Sequence, residues 1–274
     1  MEPLSYEKRG YLNEPFRLFH LADNTLEPVN YHYHTFHKIV ILLAGRASYA
    51  VEGERYALLP GDFVLVGRGS IHRPETDPET FYERMILYIS PEFLQTLGTE
   101  TCNLEDCFRR AQQEFRYVYS GGGSIKALLL QLEQSLAETE YGAELLQRAL
   151  FTEFMVKLNR LTQRSPGVSA ASGDPKIVAL LQHINLHLTE PLPIEDLAAQ
   201  FYISKFHLMR RFKQETGYTI HSYIAEKRLL LARELLRSGK SVQESCEKSG
   251  YADYSTFARA YRKRFGCTPS REFT

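Results

Sequence analysis

One short pattern occurs twice in the last third of the chain. Residues 204–217 read SKFHLMRRFKQETG, and residues 253–266 read DYSTFARAYRKRFG. A shift that places Arg210 on Arg259 also superimposes the main hydrophobic positions of the two segments. A repeat of this kind indicates a duplicated supersecondary unit, each copy of which has the same fold.

The first copy predicts two helices joined by a turn. Residues 193–201 place apolar side chains on one helical face, at positions i, i+3, i+4 and i+7 counted from Ile194. Ser204 follows as the N-cap of a second helix, where its hydroxyl can accept from a free backbone amide. In that helix Leu208 and Phe212 share the inward face. The pattern is a helix-turn-helix, which projects one helix outward with its support behind it.

The second copy predicts the same arrangement. Residues 242–249 form the support helix, Gly250-Tyr251 the turn, and Asp253 the cap of the outer helix. Phe257 and Tyr261 are then the inward residues of that helix. The repeat therefore presents two equivalent outer helices.

A long helical pattern over residues 220–237 connects the copies and stops at Ser238-Gly239. Its predicted apolar side consists of Ile224, Leu229, Leu230, Leu231 and Leu235. Two outer helices on a rigid spacer can enter successive major grooves of DNA, about 34 Å apart.

The residues shared with a known signature are Tyr223, Ile224, Arg228, Leu229, Ala232, Leu235, Leu236, Gly250, Tyr251, Asp253, Ser255, Phe257, Arg259, Tyr261, Arg262, Lys263, Phe265, Gly266, Thr268, Pro269 and Ser270. This set resembles the signature of AraC/XylS-type transcription regulators and covers the C-terminal third. One departure is Ser245-Cys246, where the family usually has Ile-Ala in the second support helix. We expect this departure to weaken the packing of that helix modestly.

The resemblance implies DNA contacts on both outer helices. The residues that match family contacts are Phe206, Met209 and Arg210 in the first unit and Tyr254, Ser255 and Arg259 in the second. The predicted DNA-binding set is Ser204, Lys205, Phe206, Met209, Arg210, Lys213, Tyr254, Ser255, Arg259 and Arg262.

The basic residues of this set divide into two roles. Arg210 and Arg259 can each make a bidentate contact to guanine O6 and N7. Phosphate contacts are expected from Lys205, Lys213, Lys227, Arg262 and Lys263. Two alternatives remain at this point, namely that the arginines are salt-bridged surface residues and that Phe206 and Met209 only close a helix interface.

Charge is distributed unevenly along a chain whose total is neutral. The 274 residues contain 33 Lys and Arg and 33 Asp and Glu. From Asp174 onward the net charge is +5, and the preceding part carries −5. The excess is modest, but it places the potential for phosphate binding in the duplicated region.

Composition predicts a soluble globular protein of two domains in the cytoplasm. Apolar residues make up 43% of the chain, yet no apolar run approaches the roughly 18 residues of a membrane span. The first residues are acidic where a signal peptide would be basic. The four cysteines show no paired zinc spacing, which favours reduced thiols. No membrane partner is expected.

The N-terminal part reads as short strands separated by turns. Residues 38–43 predict a buried strand, 47–51 an alternating strand, and 52–54 the hairpin turn that follows it. Regularly spaced short strands indicate a double-sheet jelly roll, whose interior can hold a small ligand. The fold class is therefore α+β with two domains: an N-terminal jelly-roll barrel with flanking helices, and a C-terminal all-α double helix-turn-helix.

Two sets of residues, His32-Tyr33-His34 with Gly45 and Gly61, Gly67, Gly69 with His72, resemble the two motifs of a cupin, in the form found as the sensor half of AraC-type regulators. One departure is Gly67, where the second motif has a proline. The resemblance implies a metal set of three histidines and a carboxylate. Lys38 occupies the carboxylate position, and a protonated lysine cannot bind a metal. Strand alternation turns His37 to the opposite face. We therefore predict no metal and no cofactor.

The same residues have other interpretations. His32, His34, Tyr49, His72 and Arg84 are the candidate lining of a pocket for a small, polar, sugar-like effector, because they supply donors, acceptors and flat stacking faces. The histidines can instead simply form hydrogen bonds inside the barrel. A barrel that serves only protein contacts is a further alternative.

A helical section lies between the two halves. Helices are predicted over 104–119, 125–139 and 143–161, after a short helix capped by Ser90-Pro91. Leu128, Leu132 and Leu136 form one apolar face, and Leu146, Leu150 and Phe154 form another. These faces pack on the barrel or, as the family implies, form a dimer interface.

The predicted domain boundaries are 1–90 for the cupin-like sensing barrel, 91–163 for the helical section, 164–173 for a flexible linker and 174–274 for the DNA-binding domain. The function implied is an AraC-type transcription regulator rather than an enzyme. Its expected partners are double-stranded DNA, a small effector, a second copy of the chain and, for an activator, RNA polymerase. The competing class is a cupin metalloenzyme, an oxygenase or isomerase, fused to a DNA-binding module.

Overall fold

A computed structural model describes residues 12–24, 28–75, 81–121, 123–168 and 172–272. The chain divides into two compact units, Met1–Gly173 and Asp174–Thr274. None of the helices in these ranges is long and apolar enough to cross a membrane. All four cysteines are free thiols.

The first unit contains two antiparallel sheets. Its strands are β1 (Phe16–Asp23), β2 (His37–Gly45), β3 (Ala47–Val51), β4 (Glu54–Leu58), β5 (Phe63–Val66), β6 (His72–Glu75), β7 (Tyr82–Ile89) and β8 (Val118–Tyr119). The larger sheet has the order β1-β7-β2-β5-β8, and the smaller has the order β4-β3-β6. Apart from the β3–β4 hairpin, strands that follow one another in the chain are not neighbours in a sheet, as in a double-sheet jelly roll.

Local turn chemistry explains the strand boundaries. The two residues between β3 and β4, Glu52 and Gly53, both have positive φ, 47° and 81°. This is the backbone of a two-residue hairpin turn whose twist matches the flanking strands. Gly45 ends β2 with φ 90°, and a Cβ there would lie 1.8 Å from the Phe81 carbonyl oxygen. The buried strand and the hairpin turn predicted from the sequence are both present.

The helices of the first unit are α1 (Pro91–Leu97), α2 (Asp106–Glu114), α3 (Gly123–Leu136) and α4 (Ala143–Arg164). Ser90 caps α1, with its hydroxyl accepting from the Phe93 amide at 3.2 Å. The prediction of one helix over 104–119 was wrong. The helix ends where Phe115 adopts a left-handed φ of 53°, and Val118–Tyr119 pairs with β5 as an edge strand.

The two apolar helix faces pack mainly inside their own chain. Leu128, Leu132, Leu150 and Phe154 belong to one core together with both sheets. Leu136 and Leu146 remain 40% and 45% exposed, beside the exposed side chains of Tyr141 and Leu145. The helical section therefore shares the core of the sheets and leaves an apolar end uncovered within the described residues.

The segment expected to be a linker, residues 164–173, is tied to the first unit at both ends. Arg164 is the last residue of α4. The Val168 amide donates to the Val118 carbonyl at 2.7 Å, and Ser172 pairs with Arg55 across an isolated bridge. Residues 169–171 lie outside the described ranges.

The second unit is helical. Its helices are α5 (Pro175–Leu186), α6 (Ile194–Gln200), α7 (Lys205–Thr216), α8 (Ile220–Arg237), α9 (Val242–Lys248) and α10 (Tyr254–Phe265), followed by a 3-10 turn at Pro269–Arg271. The pairs α6–α7 and α9–α10 are the two predicted helix-turn-helix units, and α8 spans the predicted connection. The α5 helix was not anticipated.

The apolar face of α8 differs in part from the prediction. Ile224 and Leu229 are buried as expected, whereas Leu230, Leu231 and Leu235 are only half-buried. The other buried apolar residues of the helix are Ile220, Tyr223, Ala232 and Leu236. The helix packs against α7 near its start and against α9 and α10 near its end, so the buried face follows these partners rather than the leucine run.

Candidate DNA interface and effector pocket

The outer helix of the first repeat, α7, separates its two faces clearly. Leu208 and Phe212 are fully buried. Phe206 is 85% exposed and Met209 is 36% exposed, and the Arg210 side chain is exposed between them. Phe206 and Met209 thus do not close a helix interface in this unit, and they lie on the outward face of α7.

The outer helix of the second repeat, α10, presents the equivalent face. Phe257 and Tyr261 are fully buried, whereas Tyr254, Ser255 and Arg259 are exposed. The helix begins at Asp253, whose carboxylate accepts from the Thr256 amide at 2.6 Å. A capped start fixes the first turn, which carries Tyr254 and Ser255.

The start of α7 differs from the sequence prediction. Ser204 occupies the N-cap position, but its hydroxyl makes no capping hydrogen bond. The helix begins instead with Lys205, whose ammonium pairs with Glu195 of α6. That contact ties the outer helix to its support and leaves the Ser204 hydroxyl exposed.

Neither candidate base-reading arginine is held by a carboxylate. Arg210 has its guanidinium 3.3 Å from His207 Nδ1, and Arg259 Nε donates to the Ser255 carbonyl at 3.3 Å. Among the described residues, no Asp or Glu forms an ion pair with either side chain. The salt-bridged interpretation is therefore disfavoured, and both guanidinium groups are exposed.

The candidate phosphate contacts differ in exposure and in the helix that carries them. Lys213, Arg262 and Lys263 are exposed. Lys227 is half-buried, with its ammonium 5.4 Å from the centre of the Tyr223 ring. Lys227 lies on the spacer helix rather than on an outer helix.

Charged contacts hold the spacer helix to its neighbours. Glu226 of α8 accepts two hydrogen bonds from Arg264 of α10, at 2.7 and 2.8 Å. Arg228 donates to the carbonyls of Leu188 and Glu190, which follow α5. These contacts orient α8 relative to α10 and to the segment that follows α5.

The first unit contains a partly open cavity of about 180 Å³. This volume is far above the roughly 10–15 Å³ that a single water needs. The lining residues are Val29, His32, His34, Lys38, Val40, Tyr49, Pro74, Tyr82, Arg84, Ile86 and Tyr88. The wall is thus apolar in part and carries several hydrogen-bonding groups, as small-molecule sites do.

Strand alternation explains the composition of this wall. Successive side chains of a strand point to opposite faces. Tyr82, Arg84, Ile86 and Tyr88 are every second residue of β7, and they all reach the cavity. Lys38 and Val40 do the same from β2, and the predicted residue Tyr49 reaches it from β3.

Four of the five predicted pocket residues line the cavity, and the fifth, His72, packs against two of them. His32, His34, Tyr49 and Arg84 are part of the wall. The ring of His72 lies 4.4 Å from the His32 ring and 6.0 Å from the Tyr49 ring. His72 therefore supports the wall rather than forming it.

The three histidines converge on one point. Their nearest ring nitrogens all lie within 4.8 Å of one another. His32 Nδ1 is bonded to the Asn30 carbonyl at 2.8 Å and His72 Nδ1 to the Ser70 carbonyl at 2.9 Å. Burial, with Lys38 and the other two histidines nearby, lowers the pKa of His72 well below its usual value. His72 is therefore neutral at physiological pH.

The cluster resembles a metal site only in part. Three imidazoles suffice for some zinc centres. The fourth cupin position, however, is Lys38, a cation when protonated, and Arg84 lines the same wall. His37 does not complete the set, because it faces away and stacks on Phe108 at 4.2 Å with Nε2 3.6 Å from Glu105. The donor set therefore does not fit a divalent ion well.

Lys38 is the least expected group in the wall. Its side chain is buried, and its ammonium lies 5.7 Å from the Tyr49 ring centre and 6.0 Å from that of Tyr88. Burial, with Arg84 adding repulsion, lowers the pKa of Lys38 to about 7. The sequence interpretation treated Lys38 only as an obstacle to metal binding, although its two-residue spacing from Val40 placed it on the inner face.

Comparison with known proteins identifies the two units. Residues 18–155 match the AraC-like ligand binding domain, and residues 197–273 match a helix-turn-helix domain. The chain belongs to the AraC family of transcription regulators. It is a DNA-binding regulator with a ligand-binding domain, and this family is not one of enzymes.

Similar proteins span most of this AraC-type chain. The HTH-type transcriptional activator RhaS of Citrobacter koseri is 28% identical over 87% of this chain and 85% of its own length. RhaS of Escherichia coli O6:H1 is 27% identical over the same shares. Among solved structures, an apo ToxT variant from Vibrio cholerae strain SCE256 covers 94% of this chain and 96% of its own, at 16% identity and a TM-score of 0.41.

Proposed function

We propose that this AraC-type protein is a cytoplasmic, homodimeric transcription activator that reads DNA through α7 and α10 and binds a small polar effector in the cavity of the first unit. The observation that carries the proposal is the pair of equivalent outward faces, each with an arginine that no described carboxylate holds. A rigid spacer between two such faces suits two successive major grooves.

The proposed base contacts are Arg210 and Arg259, each bidentate to a guanine. Phe206, Met209, Tyr254 and Ser255 supply the remaining direct contacts. Ser204, Lys205, Lys213 and Arg262 position the helices on phosphates. This division predicts sequence preference at two separated positions and a salt-dependent affinity.

The effector is proposed to be sugar-like, because the cavity combines flat rings with hydrogen-bonding groups. Tyr49, His32 and His34 can donate to or accept from hydroxyl groups, and Tyr82 and Tyr88 offer flat faces. An effector regulates DNA binding only if it binds two arrangements of the protein unequally.

Dimer formation is proposed through the uncovered apolar end of the helical section. Leu136, Tyr141, Leu145 and Leu146 are exposed there. A second copy of the chain would cover these side chains and present two further outer helices to paired half-sites. Activation through RNA polymerase is proposed because the RhaS relatives named above are described as transcriptional activators.

The decisive experiment is selection of sheared genomic DNA by the purified protein at physiological salt. The wild-type protein should retain a few sites, and the Arg210→Ala/Arg259→Ala double variant should not. Indiscriminate retention of DNA by both proteins would contradict sequence-specific reading. The genes beside the retained sites would nominate effectors for binding assays.

A further inference from the structure

We propose that the effector carries a carboxylate group, which binds to the Lys38 ammonium with support from the Tyr49 hydroxyl and Arg84. The proposal deepens the function above and rests on the cavity being the effector site. It narrows the ligand from any sugar-like molecule to a small hydroxylated carboxylate, of which a sugar acid is one type.

Lys38 differs from Arg84, the other buried Lys or Arg side chain among the described residues, and from the half-buried Arg264. Arg84 donates to the Asp23 carboxylate and to the Tyr82 carbonyl, and Arg264 is paired with Glu226. In the described ranges, no carboxylate or other acceptor receives a hydrogen bond from the Lys38 ammonium. A buried charge without such a partner is costly, and it occurs chiefly where function requires it.

A second polar group in the same wall lacks a protein partner. The Tyr49 hydroxyl is buried and makes no hydrogen bond to the described residues. Burial raises the pKa of Tyr49 well above its usual value, so the hydroxyl keeps its proton and can donate. The ring of Tyr49 lies 5.7 Å from the Lys38 ammonium. Two donors, one of them cationic, therefore face a single cavity from two different strands.

Charge balance selects a carboxylate over a phosphate. Asp23 pairs with Arg84, so the wall has about one unbalanced positive charge, that of Lys38. A carboxylate carries a single negative charge and would neutralise it. A phosphate monoester carries nearly two at pH 7, and the excess negative charge would stay buried without a partner, which is unfavourable.

The rest of the cavity suits the non-ionic part of such a ligand. His32 and His34 can exchange hydrogen bonds with hydroxyl groups, and Val40 and Ile86 provide apolar contact. A hydroxylated carboxylate would therefore find a partner for each of its groups.

The protonation state of Lys38 supports the assignment. The titratable groups around its ammonium are His32 and His34 from the segment before β2, Tyr49 from β3, His72 from β6, and Tyr82, Arg84 and Tyr88 from β7. None of these groups is an anion at neutral pH, and the pKa of Lys38 is lowered to about 7. A bound carboxylate would raise that pKa, so binding above pH 7 should be accompanied by proton uptake.

The test uses the full-length protein and glycolate, the smallest hydroxylated carboxylate, with glycolamide as its neutral counterpart. Thermal unfolding is followed with each probe at constant ionic strength, and inorganic phosphate forms a third arm. Glycolate should raise the Tm of the wild type, whereas glycolamide and phosphate should not. In Lys38→Met the apparent glycolate affinity should fall about tenfold or more, as expected for loss of one charged hydrogen bond.

Two controls keep the result interpretable. Lys157→Met removes an exposed lysine of α4 and should respond to glycolate like the wild type. In the wild type, the NMR signal of the Lys38 side-chain amine should shift on addition of glycolate, which tests the contact without any substitution. Lys38→Met removes a buried charge and is expected to fold.

The other outcomes overturn the proposal in distinguishable ways. An equal Tm shift from glycolamide would identify a neutral effector, and a shift from phosphate alone would identify a phosphorylated one. An apparent glycolate affinity in Lys38→Met equal to that of the wild type, or the lack of a glycolate effect in the wild type, would contradict the carboxylate contact. None of these results affects the selection of DNA sites, so the proposed DNA recognition is tested independently by the site-selection experiment.

Discussion

The buried ammonium of Lys38 shows the consequence of a single charge in a cavity wall. An ordinary lysine titrates near 10.5, and burial lowers the pKa of this one to about 7. Below pH 7 the folded protein therefore contains a poorly solvated cation, which the unfolded chain would expose to water. Natural sites retain such groups at a cost in stability.

Replacing this residue should accordingly stabilise the ligand-free protein. We expect Lys38→Met to raise the free energy of unfolding at pH 6 by on the order of a few kcal/mol. The unfolded wild type binds more protons than the folded form between pH 7 and 10.5. The free energy of unfolding of the wild type therefore rises with pH in this range, and its difference from that of Lys38→Met becomes smaller. Urea unfolding of both proteins at pH 6 and pH 9 measures this difference. An equal difference in the free energy of unfolding at both pH values would contradict the buried charge.

A second prediction concerns base recognition by Arg210 and Arg259 on the two outer helices. Arg210→Ala and Arg259→Ala should each cost about 1–3 kcal/mol of binding at one base position and relax specificity there. The matched control is Lys213→Ala, which should lower the affinity for all DNA sequences alike. It should also reduce the slope of log affinity against log salt concentration by about one. Binding to a panel of single-base operator variants distinguishes them. A uniform loss for Arg210→Ala would reassign that arginine to phosphate.

At the scale of elements, the second helix-turn-helix contains a packing defect. Ser245 of α9 is fully buried, and its hydroxyl makes no hydrogen bond within the described part of the chain. This is the position at which the chain departs from the usual family residue. A buried hydroxyl without a partner is unfavourable, which gives a physical basis for the weakened packing expected from the sequence.

Ser245→Ala should therefore stabilise the second unit by about 1 kcal/mol, equivalent to roughly 4 °C or more in the Tm of a domain of this size. Calorimetry of the DNA-binding unit measures the change. Ser255→Ala, an exposed position on α10, serves as the control and should stay within about 0.5 kcal/mol. A destabilised Ser245→Ala would mean that the hydroxyl has a partner in solution.

The spacer helix α8 has defined start and end signals and is held by hydrogen bonds along its length. Thr219 and Ser222 form a reciprocal capping box at its start, and Ser238 and Gly239 follow its end. Glu226 and Arg228 then anchor it to α10 and to the segment after α5. Because a helix rises about 1.5 Å per residue, the length of α8 sets the separation of the two outer helices, α7 and α10.

At the scale of the whole molecule, the chain consists of two units with separate cores. The sheets and helices α1 to α4 share one core, and α8, α9 and α10 contribute to another in the second unit. Asp174 caps α5 and pairs with Arg211, so the boundary residue belongs structurally to the second unit.

A fragment of residues 173–274 should therefore fold alone. We expect it to select the same base sequence as the full-length protein, but with lower affinity, since it lacks the proposed dimer contacts, and with no response to effector. Site selection and circular dichroism of the fragment check both points. A fragment that folds but selects no sequence would show that reading DNA requires the first unit.

The sequence alone determined the features that depend on neighbours along the chain. The inward residues Leu208, Phe212, Phe257 and Tyr261 follow from helical periodicity, and the hairpin at Glu52-Gly53 follows from turn chemistry. The family signature follows from residue identity at fixed spacing. These features are local, so the pattern contains the information needed to predict them.

Only the tertiary structure decided what depends on distant segments. Val118–Tyr119 became a strand because the edge of β5 was available, although the preceding residues have a helical pattern. Lys38 and Tyr49 meet in one wall because β2 of the larger sheet and β3 of the smaller sheet both line the cavity, and no local pattern encodes that arrangement of the two sheets. Burial then lowers the pKa of Lys38, which makes an ordinary lysine the most distinctive group of the cavity.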